Sequence, residues 1–173
     1  MCVREQGHVL KVLQPIMRKG NWQVTVAVYQ DKEIIAVWPG LHQRLLGLAV
    51  DIGSTTIAAH LVDLTSGEAL ASAGRMNPQI RFGEDLMSRV SYVMMQPGSE
   101  DEMCAAVREA VAGLVDEVCK EANELANDIL DCTFVGNPIM HHLFLGISPL
   151  ELGGAPFALA TAGAVTLTAK EVG

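Results

Sequence analysis

The segment Leu48–Asp63, LAVDIGSTTIAAHLVD, constrains the chain more than any other. An apolar strand, GLAVDIG (Gly47–Gly53), runs into a turn of small hydroxyl residues and then into a second apolar strand, TTIAAHLVDL (Thr55–Leu64). A second turn, TSGE (Thr65–Glu68), leads to a third strand, ALASAGRMN (Ala69–Asn77). Connections this short join antiparallel neighbours, because a parallel return needs a crossover of about a dozen residues or more. The sequence therefore predicts an antiparallel β-meander whose first turn lies at Asp51–Thr56.

The residues of that turn suit an anion. Gly53 permits a backbone conformation that aims successive N–H groups at one point. Ser54, Thr55 and Thr56 add hydroxyl donors at the same tip. Asp51, at the end of a buried strand, would repel phosphate but can hold a hydrated Mg²⁺. An ordinary hairpin draws on the same residue types, since Gly, Ser and Thr are common in turns. On the pattern alone, both readings stand.

Helices follow the meander. Gly83–Met95 carries Leu86, Val90 and Met94 at four-residue spacing, with Glu84 and Asp85 in its first turn. Ser99–Leu125 has the clearest amphipathic pattern. Val107, Val111, Leu114, Val115 and Val118 make one apolar stripe, acids crowd its start and Lys120 lies near its end. Ile129–Val135 is a β-rich run closed by Gly136-Asn137. Pro138 then opens a helix over Ile139–Gly146, with Gly146 as its cap. Beyond Ser148 the chain is Ala/Gly-rich and amphipathic only in patches; one reading is a helix that needs a partner.

Apolar strand, glycine turn, second strand and third strand together resemble the opening of the actin/heat-shock-chaperone/sugar-kinase superfamily, whose first hairpin grips the β- and γ-phosphates of ATP. Two further segments narrow the resemblance: RMNPQIRFGEDL (Arg75–Leu86) and VGNPIMHHL (Val135–Leu143). With AVDIGSTTIAAHLVDL, they are similar to the reductive activators of corrinoid proteins, over Gly47 to Phe157. Residues 1–46 resemble, less distinctively, the linker that precedes this fold in the same family.

The resemblance implies an α/β fold, the ribonuclease-H-like or actin-like ATPase half-domain over residues 47–173, preceded by a small β-rich linker unit over residues 1–46. It implies ATP with Mg²⁺ as cofactor, Asp51 positioning the metal through water, and Gly53, Ser54, Thr55 and Thr56 binding phosphate. In such an activator an N-terminal [2Fe–2S] ferredoxin domain passes an electron to Co(II), and ATP binding and hydrolysis make that uphill transfer possible. The Co(I) produced serves methyl transfer, and the partner is a corrinoid protein. No C-x₄-C-x₂-C run is present, and nothing matches the superfamily's second phosphate loop or adenosine pocket. The expectation is a piece of the larger machine, with weak or no nucleotide affinity alone and a possible homodimer. A small-molecule kinase of the same fold is the alternative, and a non-catalytic docking or dimerisation module is the third.

Composition bounds these readings. The chain has 173 residues, half of them hydrophobic and 18% charged, which allows a sizeable core and argues against disorder. A net charge of −8 makes nucleic acid a poor partner. No run approaches the roughly 18 apolar residues of a membrane span, and the N-terminus lacks the apolar core of a secretory signal, so the expected compartment is the cytoplasm. Cys2, Cys104, Cys119 and Cys132 are scattered, without zinc or cluster spacing, and read as buried structural thiols. The eight methionines read as core filler.

Other positions carry paired readings. Arg81, Glu84, Asp85 and Arg89 either line a cleft or cap a helix, with Asp85 and Arg89 pairing at i,i+4; the second is preferred. Gly136-Asn137, between a strand and a helix, forms either a polar-ligand site at the helix N-terminus or a structural turn. His141 and His142 point about 100° apart on a helix. One is expected to pack or hydrogen-bond and the other to face the cleft or solvent. Before the meander, the runs His8–Ile16, Trp22–Tyr29 and Ile34–Trp38 predict three strands, with Trp22, Val24, Val26 and Val28 on one face.

Overall fold

The computed structural model describes residues 4–5 and 7–172, which fold as two units dividing between Leu45 and Leu46. In the first unit, β1 (Arg4–Glu5), β2 (Val24–Tyr29) and β3 (Glu33–Pro39) form a sheet of order β1-β3-β2. β2 and β3 pair antiparallel through a tight turn whose central residues, Gln30 and Asp31, both sit at positive φ. That geometry matches the right-handed twist of the two strands.

The first apolar run is not a strand. Gly7–Lys19 is helix α1, and β1 instead comes from residues ahead of it, parallel to β3. The helical period explains the difference. Val9 is buried, Leu13 and Ile16 are half-buried, and the intervening Leu10 and Val12 are exposed. Spacing of i, i+4, i+7 is one helix face, and Lys11 and Gln14 fall outside it. In β2 the face that carries Val26 and Val28 is the exposed one. Trp22 precedes the strand, Val26 and Val28 are 42% exposed, and Ala27 between them is the buried residue.

The second unit is a four-stranded mixed sheet. β4 (Leu46–Ile52), β5 (Thr56–Asp63) and β6 (Ala69–Met76) run antiparallel, and β7 (Ile129–Gly136) returns parallel to β4, giving the order β6-β5-β4-β7. Between β6 and β7 lie a 3₁₀ turn (Pro78–Phe82), α2 (Leu86–Met95) and α3 (Ser99–Ala122); α4 (Pro138–Leu145) follows β7. Three antiparallel strands, a helical crossover and a fourth strand parallel to the first make the ribonuclease-H-like, actin-like half-domain.

One core holds this unit together. Leu46, Leu48, Val50 and Ile52 alternate inward from β4, and Ile57, Ala59 and Leu61 from β5. They meet Val107, Val111, Leu114 and Val118, spaced four, three and four apart on α3. Each such aliphatic side chain contributes roughly 1.5–3 kcal/mol when fully buried. α3 ends at Ala122 rather than Leu125 because Asn123 turns left-handed (φ 56°), and the N–H groups of Asn123 and Glu124 donate to Lys120 O and Cys119 O.

α2 begins at Leu86, three residues later than expected, because Asp85 takes the N-cap position and accepts from Ser88 N at 2.7 Å. Residues 153–168 hold no helix. They form an irregular, largely exposed strap that ends in a single turn, α5 (Ala169–Val172). Cys104 and Cys119 are buried as expected, whereas Cys132 on β7 is exposed; Cys2 lies outside the described residues. Met103 and Met140 fill core, but Met76, Met87, Met94 and Met95 are surface residues. Among the described residues no helix is long and apolar enough to cross a membrane.

Candidate functional site

The β4–β5 turn closes on one hydrogen bond, from Gly53 N to Thr56 O at 3.0 Å. A Cβ on Gly53 would stand 2.6 Å from that same oxygen, so only glycine permits so close a turn. Among the described residues, the N–H groups of Ser54 and Thr55 donate to no protein acceptor, nor do the hydroxyls of Ser54, Thr55 and Thr56. Thr55 and Thr56 are exposed and Ser54 half-buried. The tip is thus a cluster of unused donors around a glycine.

Register brings the second candidate segment alongside. Asp51 pairs with Val135 and Ile52 with Gly136 across the β4–β7 ladder, so the turn and the start of α4 share one edge of the sheet. A Cβ on Gly136 would lie 3.1 Å from Ile52 O, which keeps the two strand ends close. Asn137 caps α4, accepting from Met140 N at 3.0 Å. Its oxygen is therefore engaged structurally, and the helix N-terminus it supports points to the same edge. Asp51 is exposed at the end of β4. Asp51, Gly53–Thr56, Gly136 and Asn137 are all brought together.

Beneath the tip lies a polar assembly that has no counterpart in the expected site. Asn77 is fully buried; its Nδ2 donates to Gly53 O at 2.8 Å, and its N–H donates to Thr55 O at 2.8 Å. Its Oδ1 accepts from Gln79 N at 2.9 Å and caps the 3₁₀ turn. Arg89, also fully buried, donates from Nη2 to Ser54 O at 2.5 Å and from Nε to Gly83 O at 2.9 Å. Its Nη1 reaches Gln79 Oε1 at 3.4 Å and Met140 Sδ at 3.3 Å. Three carbonyls of the turn are therefore held from below, Gly53 O and Ser54 O by the side chains of Asn77 and Arg89 and Thr55 O by the Asn77 backbone N–H.

That arrangement corrects the preferred reading of the charged cluster. Asp85 does cap α2, but Arg89 is not its surface partner. Ser88 N–H and hydroxyl hold the Asp85 carboxyl below its ordinary pKa, with Arg89 a minor contributor. Burial lowers the pKa of Arg89, opposed by Asp85. Arg81 instead pairs with Glu102 on α3 at 3.3 Å, both exposed. Sequence held one signal for the missed assembly: Asn-Pro follows a strand twice, at Asn77-Pro78 and Asn137-Pro138, and both asparagines are N-caps.

The histidines separate as expected. His142 is buried, its Nδ1 2.7 Å from Pro138 O and its Nε2 accepting from Ala160 N at 3.1 Å. His141 is half-buried and borders a small pocket with Ile52, Phe134, Gly136 and Phe144. Among the described residues no three His, Cys, Asp or Glu side chains converge on a metal position.

Fold and site together define a ribonuclease-H-like half-domain with a donor-lined first turn, preceded by a small α/β linker. Residues 46–173 match the family model of the RACo middle region and residues 3–44 that of the RACo linker region, so the chain belongs to the RACo family. Over 113 residues it is 40% identical to the corrinoid activation enzyme RamQ of Eubacterium limosum, covering 65% of this chain and 19% of that protein. A solved structure described as the reductive activator for corrinoid, iron-sulfur protein matches with a TM-score of 0.84 and 34% identity. That match covers 98% of this chain and 28% of the solved one. The chain thus spans under a third of the length of either relative.

Proposed function

We propose that the chain serves an ATP-dependent activator that supports reduction of a Co(II) corrinoid to Co(I) in a corrinoid protein used for methyl transfer. The reaction class comes from the two relatives, one named a corrinoid activation enzyme and the other a reductive activator. The observation that carries the part played here is the β4–β5 tip, where two unbonded N–H groups and three hydroxyls converge beside the start of α4.

The donor set fits a nucleotide triphosphate with Mg²⁺. Gly53, Ser54, Thr55 and Thr56 take the terminal phosphates, and the N-terminus of α4 beyond Gly136 and Asn137 favours the same negative charge. A single carboxylate, Asp51, suits Mg²⁺, which keeps several waters and is held by one or two carboxylates plus phosphate oxygens. Bound ATP supplies the free energy for an electron transfer that is unfavourable without it. A [2Fe–2S] domain elsewhere in the protein would supply the electron, one for each Co(II) reduced to Co(I). A cytoplasmic location and a homodimer belong to the same proposal. Exposed Trp22, Val26 and Val28 offer apolar area for self-association.

The test uses the full-length protein carrying this chain, a Co(II) corrinoid protein, a reductant and MgATP, following Co(I) by absorbance. Thr55→Ala and Asp51→Ala should each slow ATP-dependent reduction by about tenfold or more, the scale of one lost charge-stabilising contact. Unchanged rates in both variants would remove the turn from the mechanism.

A further inference from the structure

We infer that Arg89 is the positioning residue of this anion site, fixing the β4–β5 turn from beneath and supplying positive charge that no ion pair among the described residues takes up. The first half of the inference is geometric. Arg89 Nη2 donates to Ser54 O, and Asn77 Nδ2 donates to the neighbouring Gly53 O. The Ser54 carbonyl belongs to the same peptide group as the Thr55 N–H, one of the two unbonded donors at the tip. A charged donor on the carbonyl polarises that peptide and strengthens its N–H toward an anion.

The second half concerns charge. Arg89 is fully buried, and among the described residues no carboxylate lies within ion-pair distance of it. Every hydrogen-bond partner it has is neutral: two backbone carbonyls, the Gln79 amide and the Met140 thioether, while Asp85 acts on it through attraction without a contact. A guanidinium stays protonated under such conditions. Buried cations are ordinarily paired, because desolvation is otherwise uncompensated. Here Asp85 offsets the charge without a contact, and a polyphosphate on the far side of the peptide that Arg89 holds supplies the closer countercharge. Met140 extends the arrangement, since its sulfur touches both Arg89 and Asn77 while its N–H is capped by Asn137. One buried side chain thereby ties the turn to the first turn of α4.

This inference rests on the phosphate reading of the turn, and its test separates the two. Dissociation constants of the full-length protein for MgATP and AMP are measured by calorimetry. A wild-type protein that binds ATP no more tightly than AMP overturns the phosphate reading itself. If wild type prefers ATP, Arg89→Met should weaken ATP binding by about tenfold or more while changing AMP binding by less than about threefold, since charge acts chiefly on the terminal phosphates. Arg89→Lys, which keeps the charge and loses the fork, should recover part of the preference. Equal losses for both nucleotides, or none in a folded variant, overturn the role of Arg89. Should Arg89→Met fail to fold, the unmutated protein decides: the Arg89 Nε–H resonance moves on saturation with MgATP and not with AMP, and an unmoved resonance overturns the inference.

Discussion

Arg89 Nη2 lies 2.5 Å from the carbonyl oxygen of Ser54, so a helix residue grips a hairpin tip 35 positions earlier in the chain. That contact joins α2 to the turn at which β4 becomes β5, with Arg89 fully buried and Ser54 half-buried. Truncating Arg89 to Ala would leave Ser54 O, Gly83 O and Gln79 Oε1 without their donor. The expected loss is about 3 kcal/mol of unfolding free energy, the scale of several buried acceptors stranded at once. Urea unfolding measures it. A loss below about 0.5 kcal/mol, typical of surface substitutions, would show that the grip is not structural.

Gly53 and Gly67 make a matched pair for separating strain from function. A Cβ at Gly53 meets Thr56 O at 2.6 Å, the acceptor that closes the turn. Gly67 sits at φ +77° in open space at the β5–β6 turn. Gly53→Ala should therefore cost about 1–3 kcal/mol, as overpacking does, and abolish most ATP-dependent activity because the donors at the tip are displaced. Gly67→Ala should cost about 1–2 kcal/mol through its left-handed backbone and leave activity within about twofold of wild type. Equal activity in the two variants would contradict the proposed site.

How far sequence reached is decided by where the information lay. The meander was legible because apolar runs and the short polar turns between them are local signals, and β4, β5 and β6 fall within a residue or two of their expected bounds. α3 was legible for the same reason, through its four-residue stripe. α1 was misread because a run of apolar residues as short as His8–Ile16 fits a strand or a helix equally well, and only burial of Val9 decides. Arg89 was misread because an acid four residues earlier imitates a surface pair. Its true partners, Ser54, Gly83, Gln79 and Met140, lie on three other stretches of chain and are set by tertiary packing.

Asp85 gives a pH-dependent prediction with a fixed sign. Its carboxylate accepts from the N–H and the hydroxyl of Ser88, which lowers its folded pKa below the usual 3.8. A lowered acid pKa favours the folded state above the unfolded value, and that advantage fades as pH falls through the folded one. Asp85→Ala should therefore lower Tm at neutral pH, and Asp85→Asn should lower it less, since Asn also caps helices. Wild type and Asp85→Asn should converge as pH drops below about 4. A Tm difference that is constant from neutral pH down to about 3 would exclude the carboxylate as its source.

His142 fixes the strap over α4 through one tautomer. Its Nε2 accepts from Ala160 N–H at 3.1 Å, so that nitrogen is unprotonated, and Nδ1–H donates to Pro138 O at 2.7 Å. Nitrogen NMR should accordingly find the ring proton on Nδ1. The strap around Ala160 is otherwise largely exposed, and beyond it Arg108 links the chain to α4 by donating to both Val172 O and Phe144 O. His142→Phe keeps the ring volume in the core but removes the acceptor for Ala160. Protease cleavage within residues 153–168 should then quicken by about fivefold or more, as a loss of about 1 kcal/mol in local closure predicts, while the amides of β4 and β5 keep their protection from hydrogen exchange. Cleavage at the wild-type rate would mean that the strap is held by something other than this histidine, and a proton found on Nε2 would reverse the assigned hydrogen bonds.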